Sequence, residues 1–279
     1  MKIAIVEFAG RGGLIHYAFQ LARALARAGA DVTLITDHHY ELDALEHPFR
    51  LEKLFRLWDP KPPGQTSDLP PARRRLRRAL RALLYYREWL RLLGYLRRTR
   101  PDVVQFGDIR FASDLVGLLA LRAAGLRLAD VCHNVHPFAT GGGSRGLPRR
   151  SRLLRFFFTR IYRCFDRIFV HFDSNHRSFI ETYDVAAEDV ACIPHGNEAL
   201  FEELRDPHVS AARLREELSL APQDRVVLFF GTLSRYKGVD LLLETFAKVG
   251  QVEPRARLVL AGFPAPDFTW QATRSWSPA

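Results

Sequence analysis

Three short segments of the 279-residue chain combine residue types and spacing that can do chemistry. The first is Gly10-Arg11-Gly12-Gly13, which ends an apolar run and opens a helical one. Backbone amides at such a strand-to-helix junction hold a phosphate without any special side chain. A dinucleotide fingerprint needs a third glycine at position 15, where Ile15 stands, so a nicotinamide cofactor is disfavoured and a plain tight turn remains the alternative. The second segment, residues 131–137 (VCHNVHP), carries His133 directly after an apolar strand pattern. In open α/β sheets ligands bind beyond the carboxyl ends of the strands, which suits a histidine there for chemistry; the alternative is a loop-capping histidine. The third, residues 231–238 (GTLSRYKG), lacks the Gly-Lys-Ser/Thr of a P-loop but offers Arg235 as a planar fork and Lys237 as a point charge. That pair suits a diphosphate, against the alternative of a solvated turn.

These segments need a scaffold, and the hydropathy pattern supplies one. Residues 2–8, 31–36, 102–106, 128–132, 167–170 and 190–194 read as strands. Helical stretches alternate with them over residues 16–28, 72–100, 112–124, 149–164 and 174–183. One βαβ unit closes within the first 36 residues and predicts a doubly wound parallel sheet. Residues 58–71 and the glycine-rich residues 140–146 read as loops. A polar helical stretch, residues 209–220, precedes a second cycle of strand 226–230, helix 239–249 and strand 256–261. Residues 263–279 have neither period and read as a tail.

Hydrophobic residues make up 47% and charged residues 26%, which excludes a disordered or fibrous chain. Cys132, Cys164 and Cys192 form no CxxC pair, so neither a disulfide framework nor a zinc knuckle is expected, and a reducing cytoplasmic compartment fits. No apolar run reaches the ~18 residues of a membrane span. The 41 basic and 31 acidic residues leave a net charge of +10, and only five of the basic residues are lysine. The arginines concentrate in residues 72–100, where Leu76, Leu80, Leu83 and Leu90 share one helical face and Arg74, Arg77, Arg78 and Arg81 another. This segment reads either as a solvated helix packed on the sheet or as an interfacial helix for anionic lipid headgroups. No nucleic-acid motif accompanies it.

In order, the segments VEFAGRGGLIHYAFQLARALARAGADVTLIT, VCHNVHPF, VACIPHGN, VLFFGTLSRYKGVDLLLETFAKV and ARLVLAGF resemble the family 4 glycosyltransferases of the GT-B fold. The resemblance covers residues 1–263, weakly across 40–100. It implies an α/β architecture of two Rossmann-like domains facing a cleft: residues 1–199 on the acceptor side, and residues 200–263 as the start of the donor-binding domain. It also implies transfer of a sugar, with retention of anomeric configuration, from a nucleotide diphosphate sugar to a hydroxyl acceptor, without cofactor or metal. Carried onto this chain, Gly12 and Gly13 would place amides near the donor phosphates and His133 would line the reaction centre. Arg235 and Lys237 would neutralise the leaving diphosphate, and His195 and Gly196 would form the interdomain hinge.

Two departures follow from the same resemblance. Thr232 stands where many relatives carry arginine, and the family's paired donor-site glutamates have no counterpart before residue 279. The expectation is therefore a C-terminally truncated glycosyltransferase with impaired activity. A lipid-linked or polysaccharide acceptor at the inner face of the plasma membrane would suit the arginine-rich segment. The competing expectation is a catalytically inactive membrane-surface or partner-binding protein that keeps the N-terminal fold.

Overall fold

The computed structural model describes residues 1–57, 70–107, 109, 111–135, 152–197, 199–234 and 237–265. The expected loops at 58–71 and 140–146 fall almost wholly outside these residues, as does most of the expected tail. The chain divides into two compact units, the first running to Leu204 and the second taking up from Arg205.

The first unit is a seven-stranded parallel sheet. Its strands are β1 (Lys2–Val6), β2 (Asp31–Asp37), β3 (Arg50–Phe55), β4 (Val103–Phe106), β5 (Leu128–Val131), β6 (Arg167–Val170) and β7 (Val190–Cys192), in the order β3-β2-β1-β4-β5-β6-β7. Every described pairing is parallel. The helices are α1 (Gly13–Arg27), α2 (Pro71–Thr99), α3 (Asp114–Ala123), α4 (Arg152–Tyr162), α5 (Asp173–Tyr183) and the short α6 (Leu200–Glu203).

Strand periodicity divides the core. Ile3 and Ile5 of β1 pack with Ile15, Phe19 and Ala22 of α1, while Ala4 and Val6 belong to a second cluster fed by α2, α3, α4 and α5. Side chains of successive strand residues point to opposite faces, so one strand serves two apolar layers, and an uninterrupted apolar sequence is what a doubly covered sheet requires. The sequence reversal lies between β1 and β4, where such sheets open a crevice at the strands' carboxyl ends.

β3 and the short α6 are absent from the sequence reading, which also leaves the packing face of α2 open. β3 was not foreseen: RLEKLF mixes charges with leucines because it is the edge strand and only its end, Leu54 and Phe55, is buried. α2 forms over the expected residues, but its leucine stripe does not pack. Leu76, Leu80, Leu83 and Leu90 are exposed, and the helix instead buries Glu88, Trp89, Leu92 and Leu96. Glu88 is held by Arg87 and Arg91, each at 2.9 Å.

Gly117 marks where α3 meets α2. A Cβ added there would lie 2.2 Å from the Trp89 ring, which Phe8 and Phe106 fix from other sides at 5.3 and 5.7 Å. Gly117→Ala is expected to lower stability by a net ~1–2 kcal/mol, because an overpacking cost of ~1–3 kcal/mol is partly offset by the helix propensity of alanine. Denaturant unfolding checks this, and a midpoint at or above the parent's would refute it.

The second unit holds α7 (Ala211–Glu217), β8 (Arg225–Phe230), α8 (Val239–Val252) and β9 (Ala256–Ala261). β8 and β9 pair in parallel, and α8 packs on one side through Val239 and Leu243, against Leu233 and partly buried Phe229, Leu258 and Leu260. Val226, Leu228 and Phe230, which alternate with Phe229 along β8, are exposed.

Candidate functional site

Three neighbouring strands of the first unit each deliver a histidine to the carboxyl end of the sheet. His133 follows β5 after Cys132, His171 follows β6 directly, and His195 stands three residues beyond β7. Tyr17 of α1 meets all three rings, at centroid distances of 4.6 Å from His133 and 5.2 Å from both His171 and His195. His171 is buried, His133 half-buried and His195 exposed.

The hydrogen bonds of this cluster fix its tautomers. Nδ1 of His171 lies 3.3 Å from the carbonyl oxygen of Ile193, and Nε2 lies 3.1 Å from Nδ1 of His133. A carbonyl only accepts, so His171 carries its proton on Nδ1 and presents a lone pair at Nε2. His133 therefore donates from Nδ1, which leaves its own Nε2 as an acceptor. That atom is buried and has no partner among the described residues. Both rings are neutral at pH 7. Burial, reinforced by His171 and His195, pushes His133 down to about 4, and burial also lowers His171. A desolvated neutral acceptor at a sheet's carboxyl edge is equipped to accept a hydrogen bond from a hydroxyl of a ligand.

The backbone after His133 is tied down on both sides. Cys132 Sγ donates to the Asn134 carbonyl at 3.3 Å, and the buried Tyr183 hydroxyl donates to the Val135 carbonyl at 2.6 Å. His136 lies outside the described residues.

At the glycine-rich loop a carboxylate of the chain itself meets the Gly12 amide. Gly12 adopts φ 90°, and its amide donates to Glu41 Oε1 at 2.6 Å, the same oxygen that His16 Nε2 meets at 2.6 Å. Gly10 is required by packing, since a Cβ there would sit 2.4 Å from the His39 carbonyl oxygen. Gly13 begins α1. Thus a carboxylate already rests at the positive end of the helix, as the helix dipole favours.

Of the other expected residues, His195 joins the histidine cluster, and Gly196 adopts φ 80°, a turn that favours glycine. Both belong to the first unit. In the second unit Lys237 immediately precedes Gly238, the residue that caps α8. Arg235 lies outside the described residues.

Three site residues escaped the sequence reading. His171 carries the same signal as His133, a histidine directly after a buried strand. Tyr17 is hidden within the apolar stripe of α1. Glu7, buried beside β1, lies at the crevice between β1 and β4: a Cβ on Gly107 would be 2.8 Å from its Oε2. Its Oε1 accepts the Ala9 amide at 3.1 Å.

Among the described residues, two groups bring three metal-ligating side chains together: His133 with His171 and His195, and Asp37 with His38 and His39. In the second group Asp37 is engaged by the amides of His39 and Leu57, at 2.9 and 2.8 Å. No helix among the described residues is long and apolar enough to cross a membrane.

Several solved structures share the fold. HepE of Anabaena, determined in complex with UDP, superposes with a TM-score of 0.57 at 18% identity over 95% of this chain and 62% of its own. Sucrose-phosphate synthase of Thermosynechococcus elongatus gives 0.57 at 17% identity over 96% and 63%. WaaG, a glycosyltransferase of lipopolysaccharide biosynthesis, gives 0.56 at 16% identity over 95% and 64%. The chain thus spans somewhat less than two thirds of each of these structures. No curated protein sequence matches it. The glycosyl transferase 4-like domain profile matches residues 12–196, a stretch that contains Gly12, Gly13 and all three clustered histidines. With this match over more than half its length, and a parallel sheet shared with these structures, the chain belongs to the glycosyl transferase 4-like family.

Proposed function

We propose that the protein transfers a sugar from a nucleoside diphosphate sugar to a hydroxyl acceptor, with retention at the anomeric carbon. The observation that carries the reading is His133 Nε2, a buried lone pair held in its tautomer by His171 and without a partner among the described residues. In this role it accepts a hydroxyl of the bound sugar or acceptor and orients it, which is the kind of positioning that accelerates transfer. Lys237 and Arg235 neutralise the charge that grows on the departing diphosphate, so no metal is needed there. UDP is the first nucleotide to try, given its presence in HepE.

The acceptor is proposed to be membrane-borne. α2 exposes Leu83 and Leu90, 68% and 69% accessible, beside exposed Arg73, Arg75, Arg81 and Arg87. α3 packs between α2 and α4 and adds exposed Val116 and Leu119, and α4 adds Leu153 and Phe156. Apolar side chains interleaved with arginine suit an interface of anionic headgroups over acyl chains.

A thermal-shift titration with UDP, GDP, ADP and NAD tests the first reading. A saturable rise in Tm with one nucleoside diphosphate, and none with NAD, is expected by linkage. Absence of a shift with every nucleoside diphosphate would overturn it. Sedimentation with phosphatidylglycerol vesicles tests the second. Leu83→Glu with Leu90→Glu is expected to release the chain from the vesicles without altering the nucleotide shift, and undiminished sedimentation would refute the interface.

A further inference from the structure

The histidine cluster supports more than a hydroxyl contact. We propose that His133, His171 and His195 bind one divalent transition-metal ion of the zinc class, and that its arrival reverses the hydrogen-bonding sense of His133.

One imidazole nitrogen from each residue lies within 4.8 Å of the others. A tetrahedral zinc ion with Zn–N bonds of about 2.0–2.1 Å sets its nitrogens roughly 3.3 Å apart. His171 Nε2 and His133 Nδ1 are already 3.1 Å apart, so the closest pair has the separation a shared ion needs, and the two rings have only to turn their lone pairs off the line that joins them. His171 has the outer shell that a metal-binding imidazole requires, because its second nitrogen meets the Ile193 carbonyl at 3.3 Å and turns the other lone pair inward. A hydrogen-bonded histidine pair accounts for two rings but gives no reason for a third at the same point. His195 is that third ring, its centroid 4.7 Å from His171, and its exposure provides the ion with a way in.

The donor set selects the ion. Three nitrogens without a carboxylate favour zinc, cobalt or nickel over magnesium or calcium, and three protein ligands leave a fourth position for water or an anion.

The proton balance gives the site a consequence. Without the ion, His133 Nδ1 donates to His171 Nε2. When both nitrogens turn to a metal, the proton leaves Nδ1 and is taken up at Nε2, so the ring stays neutral and no net proton is released. Nε2 then changes from acceptor to donor. The lone pair on which the proposed transfer depends is gone while the ion is bound, so the ion acts as an inhibitor rather than a cofactor. This last step rests on the transfer reading; the binding site does not.

Isothermal titration of untagged, metal-stripped full-length chain with zinc chloride tests the site, with cobalt absorption as a second readout. One ion per chain is expected, with a tetrahedral cobalt spectrum. His195→Ala changes an exposed side chain, and should weaken binding by at least about tenfold. His171→Asn should abolish it. His38→Ala with His39→Ala, which dismantles the other candidate group, should leave the isotherm unchanged. Imidazole 15N spectra should show the His133 proton on Nδ1 before zinc and on Nε2 after it. Failure to saturate at one ion, binding that survives both His195→Ala and His171→Asn, or binding lost in the His38/His39 variant would overturn the proposal. Zinc binding here without any nucleotide shift would uphold the site and sink the transfer reading, and the reverse pattern would do the opposite.

Discussion

Phe106→Ala is expected to be among the most damaging single substitutions in the first unit, at about 3–5 kcal/mol, or roughly 6–20 °C in its melting temperature. The ring ends β4, one of the two strands at the sheet's reversal point, and has no solvent exposure. It stacks on Trp89 at 5.7 Å and meets Phe165 edge-on at 6.1 Å, joining α2 to the segment that leads into β6. Removing it opens a cavity that helices on one side and a β-sheet on the other cannot jointly close. Phe106→Leu retains most of the volume and should cost less than half as much. Denaturant midpoints of the two variants check the comparison, and similar losses would show that ring stacking rather than volume carries the energy.

The second large effect concerns acid. In the unfolded chain His133 titrates near its ordinary 6.5; in the folded protein it is held at about 4. Between those values the unfolded chain binds the proton and the folded one does not, so stability rises with pH across this window. The contribution is full above 6.5 and is lost as pH falls through 4. His171, depressed by its own burial, acts in the same sense, and His195 and Tyr17 complete the surroundings of the ring. Urea midpoints at pH 4.5 and 7 should differ clearly in the parent and less in His133→Phe. A variant that loses as much as the parent would remove His133 from the acid transition.

Much of the sheet was legible. β1, after its opening lysine, is the short apolar run IAIV, and burial on both faces keeps such a run uninterrupted. β3 was not legible, because an edge strand tolerates the charges that disguise it. α2 contains two competing stripes. Leu76, Leu80, Leu83 and Leu90 are as regular as Tyr85, Trp89, Leu92 and Leu96, and periodicity cannot choose between them. The second stripe packs, since its aromatic rings meet Phe8, Phe106 and Phe111. The candidate site was legible one strand at a time. His133 was recognisable from its place after β5, whereas its meeting with His171 and His195 depends on which strands are neighbours. Nothing in a linear sequence states that β5, β6 and β7 lie side by side.

Glu41 sets a condition on whatever visits the head of α1. Its carboxylate holds the Gly12 amide, so a phosphate docking there does not fill a waiting seat but enters an exchange, in which one anion leaves as another arrives. The measured affinity is then the intrinsic affinity divided by that of an internal rival at fixed, high effective concentration. Such an exchange filters by charge. A singly charged visitor gains little over the resident carboxylate, whereas a diphosphate brings more negative charge to the same amide. A loop of this kind would discriminate between phosphorylated and merely acidic ligands through its backbone as well as through Arg11.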